Sequence, residues 1–574
     1  MDKKVFWRAI GCILGCFVLY VFFSFPSWRE PIMGDEVTVA NWIKSFGDST
    51  IKNYFIRDGD RLFGMWHPPT YAYLVSLIGK FTVINEASIR MIGVTSFLIS
   101  LVLIYAIASG LSRKDDKREL IAILSCLIYT LNPLAVKGSI LIDLDVILHV
   151  AVLALILALV RYRYRENSHK GLLVCIALFT VTLCIKLSTP VILIMSIFVY
   201  QFLRREWGKL IYTLKIAAAG IFSALIIWLI YCRAHNIDFF SIFAVPLSVG
   251  SYIPLIKSPG KEGWLVLARN IWSPFMWCSP AFIILGVIGF WRNLRTQTEN
   301  DSLMTPAQFA FYGLLIFTVY MFVGGVSHSF PKYHYAIVPI FSVLAASVVI
   351  KNIKPDRQLF LNTAVLISIL ILYDIYLVKD PIYLISYALK ESVISASRGS
   401  VFAVAIEWIA RMALLLLTIP IAFLFYMNRK TRGALILALF VSMLASNIAL
   451  LFIQRGAVYN TVYCYGGRGM RGAADIVMSN TAPGDIILAP PEIVLLSGKN
   501  IFSYMTAKNL RSKDMFLDML KQDDVNCVVY GISGNTSEQY KHIFYAKDVK
   551  AILNEKYLRH EAGSYTVWVK RKQG

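Results

Sequence analysis

The sequence predicts a polytopic α-helical membrane protein with about thirteen transmembrane helices and a small extracytoplasmic α/β domain at the C-terminus. The first reason is composition: 57% of the 574 residues are hydrophobic and only 16% are charged, whereas soluble proteins carry about 25% charged residues. The mean hydropathy of +0.61 agrees with this. The second reason is that long apolar runs alternate with short basic loops, and the third is a change of composition after residue 453.

Each predicted span approaches the roughly 20 apolar residues that a helix needs to cross a bilayer. We expect the first span to be retained, because no clear small-residue cleavage site accompanies it. The predicted spans are 5–25, 88–111, 119–137, 145–161, 170–185, 189–203, 210–231, 275–291, 307–325, 334–350, 359–378, 401–427 and 433–453.

The loops between the spans predict the topology. Short loops rich in Lys and Arg alternate with the longer aromatic loops 26–87, 232–274, 326–333 and 379–400. Basic loops favour the cytoplasmic side, so we expect a cytoplasmic N-terminus, an extracytoplasmic C-terminal domain and a location in the cell (inner) membrane. Residues 67–83 are short for a span and open with two prolines, which favours a helix lying along the outer interface.

The net charge of +22 does not indicate a nucleic-acid partner. The excess Lys and Arg residues lie in the short loops, where they act as topology signals. The nine cysteines show no CxxC or metal-ligand spacing, so they are interpreted as small buried apolar residues.

The tail, residues 454–574, predicts a soluble domain distinct from the transmembrane domain, residues 1–453. Its size is ordinary for a small domain, and Gly and Pro separate its apolar segments. The predicted strands are 485–490, 525–531 and 565–570, and the predicted helices are 468–480 and 512–522.

Acidic, basic and aromatic residues collect on the predicted outer face. Carboxylates pressed against a bilayer are costly, which marks them as functional candidates. Acids, bases and cations on one face suit chemistry on a lipid-linked anionic substrate. The candidates are Asp35, Glu36, Arg61, His67, Asp143, Asp145, Lys186, Lys332, His334 and Tyr335.

Structural alternatives stay open for the acidic residues and the lysines. An acidic pair in a loop, such as Asp35 with Glu36, is often only solvated. Asp143 and Asp145 lie in a linker too short to leave the interface, where an aspartate can also cap a helix. Lys186 ends a span, and such lysines commonly extend toward water.

The remaining candidates also have structural alternatives. His67 and His334 lie in separate loops, which is typical of satisfied interfacial histidines rather than metal ligands. Tyr335 fits the aromatic belt at a membrane surface, and Lys332 fits an ordinary loop.

Five short segments, in this order along nearly the whole chain, resemble the GT-C superfamily of membrane glycosyltransferases. The likeness is strongest to the protein O-mannosyltransferases and to the aminoarabinose transferases that modify lipid A. Leu187 departs from the pattern, because a glycine often follows the family lysine. The segments are 34–36, 66–71, 144–148, 185–186 and 331–335, and tail residues 484–492 resemble the soluble domains of bacterial relatives.

The resemblance implies a GT-C-like fold and transfer of a hexosyl or pentosyl group, with inversion, from a polyprenyl-phosphate donor. The acceptor would be a hydroxyl of a lipid, a glycan or a protein at the extracytoplasmic face, as in lipopolysaccharide or protein glycosylation. No cofactor is certain; metal use varies within the superfamily, so a divalent ion remains an alternative.

The resemblance also implies residue roles. Attack by a hydroxyl needs a base, for which Asp35 is the candidate, with Glu36 holding geometry or binding substrate. Asp145 would bind sugar or acceptor hydroxyls or help to hold a metal ion, with Asp143 as its substitute. Cations stabilise a departing phosphate, and Lys332, Lys186 or Arg61 would supply them.

Two other functions remain in competition. A transporter or lipid flippase shares the many spans, but transporters place polar groups near the bilayer midplane in related halves, and no duplicated half is visible. A polysaccharide polymerase or ligase would share the outer site but would take lipid-diphosphate glycans.

Overall fold

The protein is represented by a computed structural model. The described residues are 3–29, 36, 57–58, 61–62, 68, 70–79, 81, 86–113, 115–166, 168–234, 239–240, 267, 270–271, 274–275, 277–295, 301–323, 332–353, 363–364, 366–372, 420–422, 424–428, 431–454, 469–482, 485–490, 493, 496–497, 513–521, 525–531, 542–563 and 565–571.

The chain forms two compact units. The first comprises Met1–Phe25, Gly93–Ile140 and Leu144–Gln454, and the second comprises Pro26–Ile92, Leu141–Asp143 and Arg455–Gly574. The second unit therefore includes the tail together with residues 26–92 and 141–143, which belong to the predicted transmembrane domain.

The main helices are numbered in chain order. They are α1 (Lys3–Ser24), α2 (Thr70–Gly79), α3 (Glu86–Leu111), α4 (Arg118–Thr130), α5 (Pro133–Ser139), α6 (Asp145–Arg161), α7 (His169–Ile185), α8 (Ser188–Leu203), α9 (Trp207–Ala234), α10 (Pro280–Arg295), α11 (Pro306–Val323), α12 (Val338–Asn352), α13 (Arg432–Gln454), α14 (Met470–Asn480), α15 (Lys513–Lys521) and α16 (Lys547–Lys556).

Several helices are long and apolar enough to cross a membrane, which confirms the predicted fold class. Within the described residues there are six by length and composition, and seven if α4 and α5 count as one bent span. The predicted number of about thirteen stays a prediction, since the predicted span 401–427 lies mostly outside the described residues. The six are Lys3–Trp28, Ala87–Leu111, Trp207–Ala234, Pro306–Val323, Lys332–Asn352 and Arg432–Phe452.

The predicted continuous span 119–137 is wrong in one respect, because the chain bends by 67° between α4 and α5. Pro133 does not kink a continuous helix, since it occupies the first turn of α5, where its missing N–H costs nothing. Asn132 is extended, and its side chain accepts hydrogen bonds from the N–H groups of Leu134 and Ala135 at 3.0 and 3.2 Å. The residue before a proline avoids the α region, so the Asn-Pro pair sets the break.

The interfacial helix predicted over 67–83 corresponds to α2, which has ten residues. At about 1.5 Å per residue such a helix is only about 15 Å long, too short to cross the hydrocarbon core. Its placement along the outer interface stays a prediction.

The most enclosed span is Lys332–Asn352, of which 83% is buried. Side chains of Phe341 and Leu344 on α12 occupy the space that Gly286 and Gly289 leave on α10. The 3₁₀ turn Lys332–Ile337 leads directly into α12, so this packing fixes the turn and its side chains.

Helices α1, α3 and α5 meet closely at Ser139. The Tyr20 hydroxyl and the Ser139 hydroxyl are hydrogen-bonded at 2.9 Å, and the Tyr20 ring stacks on Phe97 with 3.7 Å between centroids. A side chain at Gly93 would overlap the carbonyl group of Ser139. Position 93 therefore requires glycine for the backbones to approach.

Replacing Gly93 by Ala is expected to lower the free energy of unfolding by about 1–3 kcal/mol, because the added methyl forces α3 away from α5. Gly11→Ala is the matched control, because nothing lies within 4 Å of a Cβ at position 11. Thermal unfolding in detergent measures both. Equal melting temperatures for the two variants would contradict the close approach.

The tail forms a four-stranded sheet, one strand more than the three that the sequence predicts. The predicted strands and the two predicted helices are present, while α16 and one strand, Tyr557–Ala562, were not predicted. The strands of the protein are β1 (Arg57–Asp58), β2 (Arg61–Leu62), β3 (Ile486–Leu488), β4 (Val525–Gly531), β5 (Tyr557–Ala562) and β6 (Tyr565–Lys570).

The order in the tail sheet is β3-β4-β6-β5. Strand β3 pairs with β4 in parallel, and the other pairs are antiparallel. Alternating side chains of a strand point to opposite faces: Val528 and Tyr530 pack with Phe516 of α15, while Cys527 and Val529 pack in a second cluster with α14. Separately, β1 and β2 form a small antiparallel pair.

Candidate active site

Asp145 and Lys186 form a buried ion pair. Helices α6 and α7 are consecutive and have 17 residues each, so the end of α7 returns to the start of α6. Lys186 Nζ lies 2.6 Å from Asp145 Oδ1, with the two side chains 5% and 14% exposed. The lysine therefore does not extend toward water, as the snorkelling alternative expects.

The ring of Tyr333 brings a second lysine to this pair. The ammonium of Lys186 lies 4.6 Å from the ring centroid, and that of Lys332 lies 5.4 Å from it. Such contacts attract cations to the face of the ring. Two ammonium groups thus lie against one aromatic ring, and one of them also pairs with the Asp145 carboxylate, which leaves a net positive charge.

A cleft in the first unit runs from these charges along one face of α6. Its lining on α6 repeats at helical spacing, from Asp145 through Leu148, Val152 and Ile156, which spans about 16 Å along the helix axis. Its polar lining comprises Asp145, His149, Thr189, Tyr320, Lys332, Tyr333 and Tyr335. This Asp145 cleft combines charged groups with an apolar helix face, the two features that bind an amphiphile with a charged head. Its volume is only about 20 Å³, close to that needed for one water molecule, so binding of a lipid substrate requires the cleft to widen.

A buried polar network supports the wall of the Asp145 cleft. The Tyr129 hydroxyl is hydrogen-bonded to His149 Nε2 and to the Tyr335 hydroxyl, both at 3.1 Å. The His149 and Tyr335 rings stack with 4.1 Å between centroids. Sequence reasoning missed Tyr129 and His149. The signal for His149 was its place four residues after Asp145, on the same helix face, inside an apolar span.

Glu36 is held by a residue that sequence reasoning also missed. Both carboxylate oxygens accept hydrogen bonds from the Arg90 guanidinium, at 2.9 and 3.2 Å, and Oε1 also accepts one from the Ile142 N–H at 3.0 Å. Glu36 and Arg90 are 8% and 3% exposed. Bidentate pairs of this kind are strong and directional. The available signal was an arginine inside an apolar run.

Asp143 and Tyr71 belong to the same buried polar cluster in the second unit. Both are buried. Burial raises the pKa of Tyr71, the carboxylates of Asp143 and Glu36 raise it further, and the Arg90 guanidinium acts in the opposite direction. Through Ile142, Glu36 fixes the segment that carries Asp143.

Of the other candidates, only some lie within the described residues. Asp35 and His67 lie outside the described residues, and the side chain of Arg61 in β2 is not described. His334 is buried with its ring centroid 5.6 Å from that of Phe317. The shared cavity predicted for Asp35 and Asp145 stays a prediction.

Among the described residues, no three His, Cys, Asp or Glu side chains are grouped so that they could hold a metal ion. This statement does not cover Asp35 and His67, which lie outside the described residues. The sequence alternative of a divalent ion therefore stays a prediction.

Comparison with known proteins identifies the class of fold. The family described as dolichyl-phosphate-mannose-protein mannosyltransferase matches residues 66–268, a range that includes Arg90, Asp143, Asp145 and Lys186. No curated protein matches the sequence significantly.

Solved structures match the whole chain. ArnT from Cupriavidus metallidurans bound to undecaprenyl phosphate has a TM-score of 0.59 at 14% identity, covering 100% of this chain and 99% of that one. The apo state of ArnT has a TM-score of 0.56 at 14% identity, covering 99% of this chain and 98% of that one. The oligosaccharyltransferase AglB from Archaeoglobus fulgidus, in complex with an inhibitory peptide and a dolichol-phosphate, has a TM-score of 0.50 at 11% identity, covering 100% of this chain and 75% of that one.

The chain therefore has the GT-C fold of membrane glycosyltransferases, which confirms the resemblance seen in the sequence. It is a multi-pass membrane protein.

Proposed function

We propose that the protein is a glycosyltransferase that moves a sugar from a polyprenyl-phosphate carrier to an acceptor hydroxyl at the extracytoplasmic face of the membrane. The observation that carries the proposal is the Asp145 cleft, in which lysine and carboxylate groups lie at one end of an apolar helix face. A lipid phosphate has the same two-part character. The names of the matched family and structures, which include lipid-phosphate carriers, support this donor class.

Lys332 is the proposed cation for the departing phosphate. As the bond between the anomeric carbon and the phosphate oxygen breaks, its electron pair passes to the phosphate, and a nearby ammonium stabilises the added charge. Lys186 lies 2.6 Å from Asp145, which supports a role in positioning that carboxylate. Asp145 then binds a hydroxyl of the sugar or of the acceptor.

Asp35 is the proposed general base. It would take the proton of the acceptor hydroxyl as that oxygen attacks the anomeric carbon from the side opposite the phosphate, which inverts this centre. Glu36 is assigned to holding geometry, because both its oxygens already accept hydrogen bonds from Arg90.

The test is transfer by the purified full chain from polyprenyl-monophosphate sugars to lipid A, glycan and peptide acceptors. Asp35→Asn and Lys332→Gln are each expected to lower the rate by about 100-fold or more, as losses of a base or a charge stabiliser do. Lys170→Gln is the matched control, because Lys170 is exposed at the opposite end of α7 from Lys186, and its rate should stay within about twofold of the parent.

Three results would contradict parts of this proposal. A full rate in Asp35→Asn would remove Asp35 as the base. Use of diphosphate-linked oligosaccharides in place of monophosphate sugars would indicate a polymerase or ligase. Movement of a lipid-linked sugar across proteoliposomes without transfer would indicate a flippase.

A further inference from the structure

A second, larger cavity lies in the first unit at the far end of α6. Its volume is about 1240 Å³, and its lining includes Arg161 at the end of α6. Asp145 begins the same 17-residue helix, which is about 25 Å long. The Asp145 cleft reaches Ile156 on α6 and shares no lining residue with this cavity, so the two are separate. The volume exceeds the roughly 300–1,000 Å³ of ordinary ligand pockets.

The lining of this cavity, named the basic cavity, carries an excess of positive charge. Its cations are Arg113, Arg118, Arg161, Arg163, Arg292 and Lys351, and its acids are Asp115 and Asp116. Lys351 Nζ lies 2.9 Å from Asp115 Oδ2. Burial acts to raise the pKa of Asp115, but the hydrogen bonds from Lys351 and from the Lys117 N–H outweigh it and lower the pKa. Asp115 is thus committed to Lys351, and the cations of the lining outnumber its acids.

Other walls of the basic cavity are apolar. They comprise Phe6, Ile10 and Ile13 of α1, Val102 and Ala106 of α3, and Val343 of α12. Helices α1, α3 and α12 all belong to candidate membrane spans. Cationic groups and lipid-soluble side chains in the lining of one cavity complement a molecule with an anionic head and a hydrocarbon tail. A soluble anion would use the arginines but not the walls.

We propose that the basic cavity binds an anionic phospholipid of the bilayer. Its phosphate would lie among Arg113, Arg118 and Arg161, and an acyl chain would follow the walls formed by α1 and α3. Basic pockets between transmembrane helices at the cytoplasmic surface recognise anionic headgroups in this way, and the loop arginines here are those that predict the cytoplasmic side. This site does not depend on the proposed transfer reaction.

The test uses the purified full chain in a neutral detergent, with native mass spectrometry of added lipids. Phosphatidylglycerol is the probe, and phosphatidylcholine with the same acyl chains is the neutral comparison. The variant Arg113→Gln/Arg161→Gln removes two cations of the cavity. Its matched control is Lys170→Gln/Arg204→Gln. These two cations are exposed, lie at the ends of other helices and are not part of the cavity lining.

We expect the parent and the control to retain phosphatidylglycerol, and the Arg113→Gln/Arg161→Gln variant to bind it at least about fivefold more weakly. Ala106→Trp fills the apolar wall without a change of charge, and it is expected to weaken binding of the same lipid. Thermal unfolding of each variant without lipid separates loss of the site from loss of the fold.

Equal binding of phosphatidylcholine, or equal losses in the two double variants, would overturn the proposal, since binding would then reflect general surface charge or detergent-like association. Displacement of phosphatidylglycerol by an equal or lower concentration of a polyprenyl phosphate would also overturn it, by assigning the cavity to a carrier lipid.

Discussion

Asp145→Asn is expected to reduce both the stability of the protein and its proposed transferase activity. The substitution deprives the buried Lys186 ammonium of a carboxylate 2.6 Å away. Removing one partner of a buried pair costs about 3–5 kcal/mol, whereas removing both partners is often close to neutral. Lys186→Met should show a loss of similar size, because it leaves Asp145 without this ammonium.

The double variant Asp145→Asn/Lys186→Met separates structure from chemistry. We expect it to recover most of the melting temperature that each single variant loses, while the transfer rate stays at least about 100-fold below the parent, as for loss of a transition-state contact. Glu166→Gln is a control, since Glu166 pairs with Arg163 at 2.9 Å in an exposed pair that is worth about 1 kcal/mol or less. If the double variant recovered the transfer rate as well as the melting temperature, the pair would have a structural role only.

The fold was predictable because its signals are local. Apolar runs, basic loops and turn residues each occupy a short stretch, and they located most helices and three strands of the tail. The bend between α4 and α5 was not predicted, although the pair Asn132-Pro133 indicates it, since the residue before a proline avoids the helical conformation. Hydropathy alone does not detect such a backbone restriction. Strand β5 was missed because half of its residues are exposed, so it lacks a run of buried apolar side chains.

The candidate site was predictable only in part, because its contacts join distant segments. The sequence marks Asp145 and Lys186 as charges at span ends, but their pairing across 41 positions depends on how α6 and α7 pack. Arg90 and His149 are unusual residues in apolar runs, a local signal, yet their partners Glu36 and Tyr335 lie on other elements. A sequence can show that a buried charge needs a partner without showing which residue provides it.

Glu36→Gln is expected to lower the transfer rate about tenfold or more. The rate should still fall at low pH as the general base is protonated. Arg90 would lose its carboxylate partner, and the hold on Ile142 would weaken, so Asp143 would no longer be fixed in place. A displacement of about 1 Å in a site can cost about 100-fold in rate. Glu36 would then be a positioning residue.

The pH profile distinguishes this role from that of a base. A general base makes the rate fall at low pH as it is protonated. This fall of the rate at low pH is the acidic limb of the profile. We expect Glu36→Gln to keep the acidic limb with a lower maximal rate, and Asp35→Asn to lose the acidic limb. Arg90→Lys should resemble Glu36→Gln, because the single nitrogen of an ammonium does not reproduce the planar fork by which the guanidinium binds both carboxylate oxygens. If the acidic limb disappeared in Glu36→Gln and persisted in Asp35→Asn, the two residues would exchange roles, and Glu36 would have to leave Arg90 during the reaction to accept a proton.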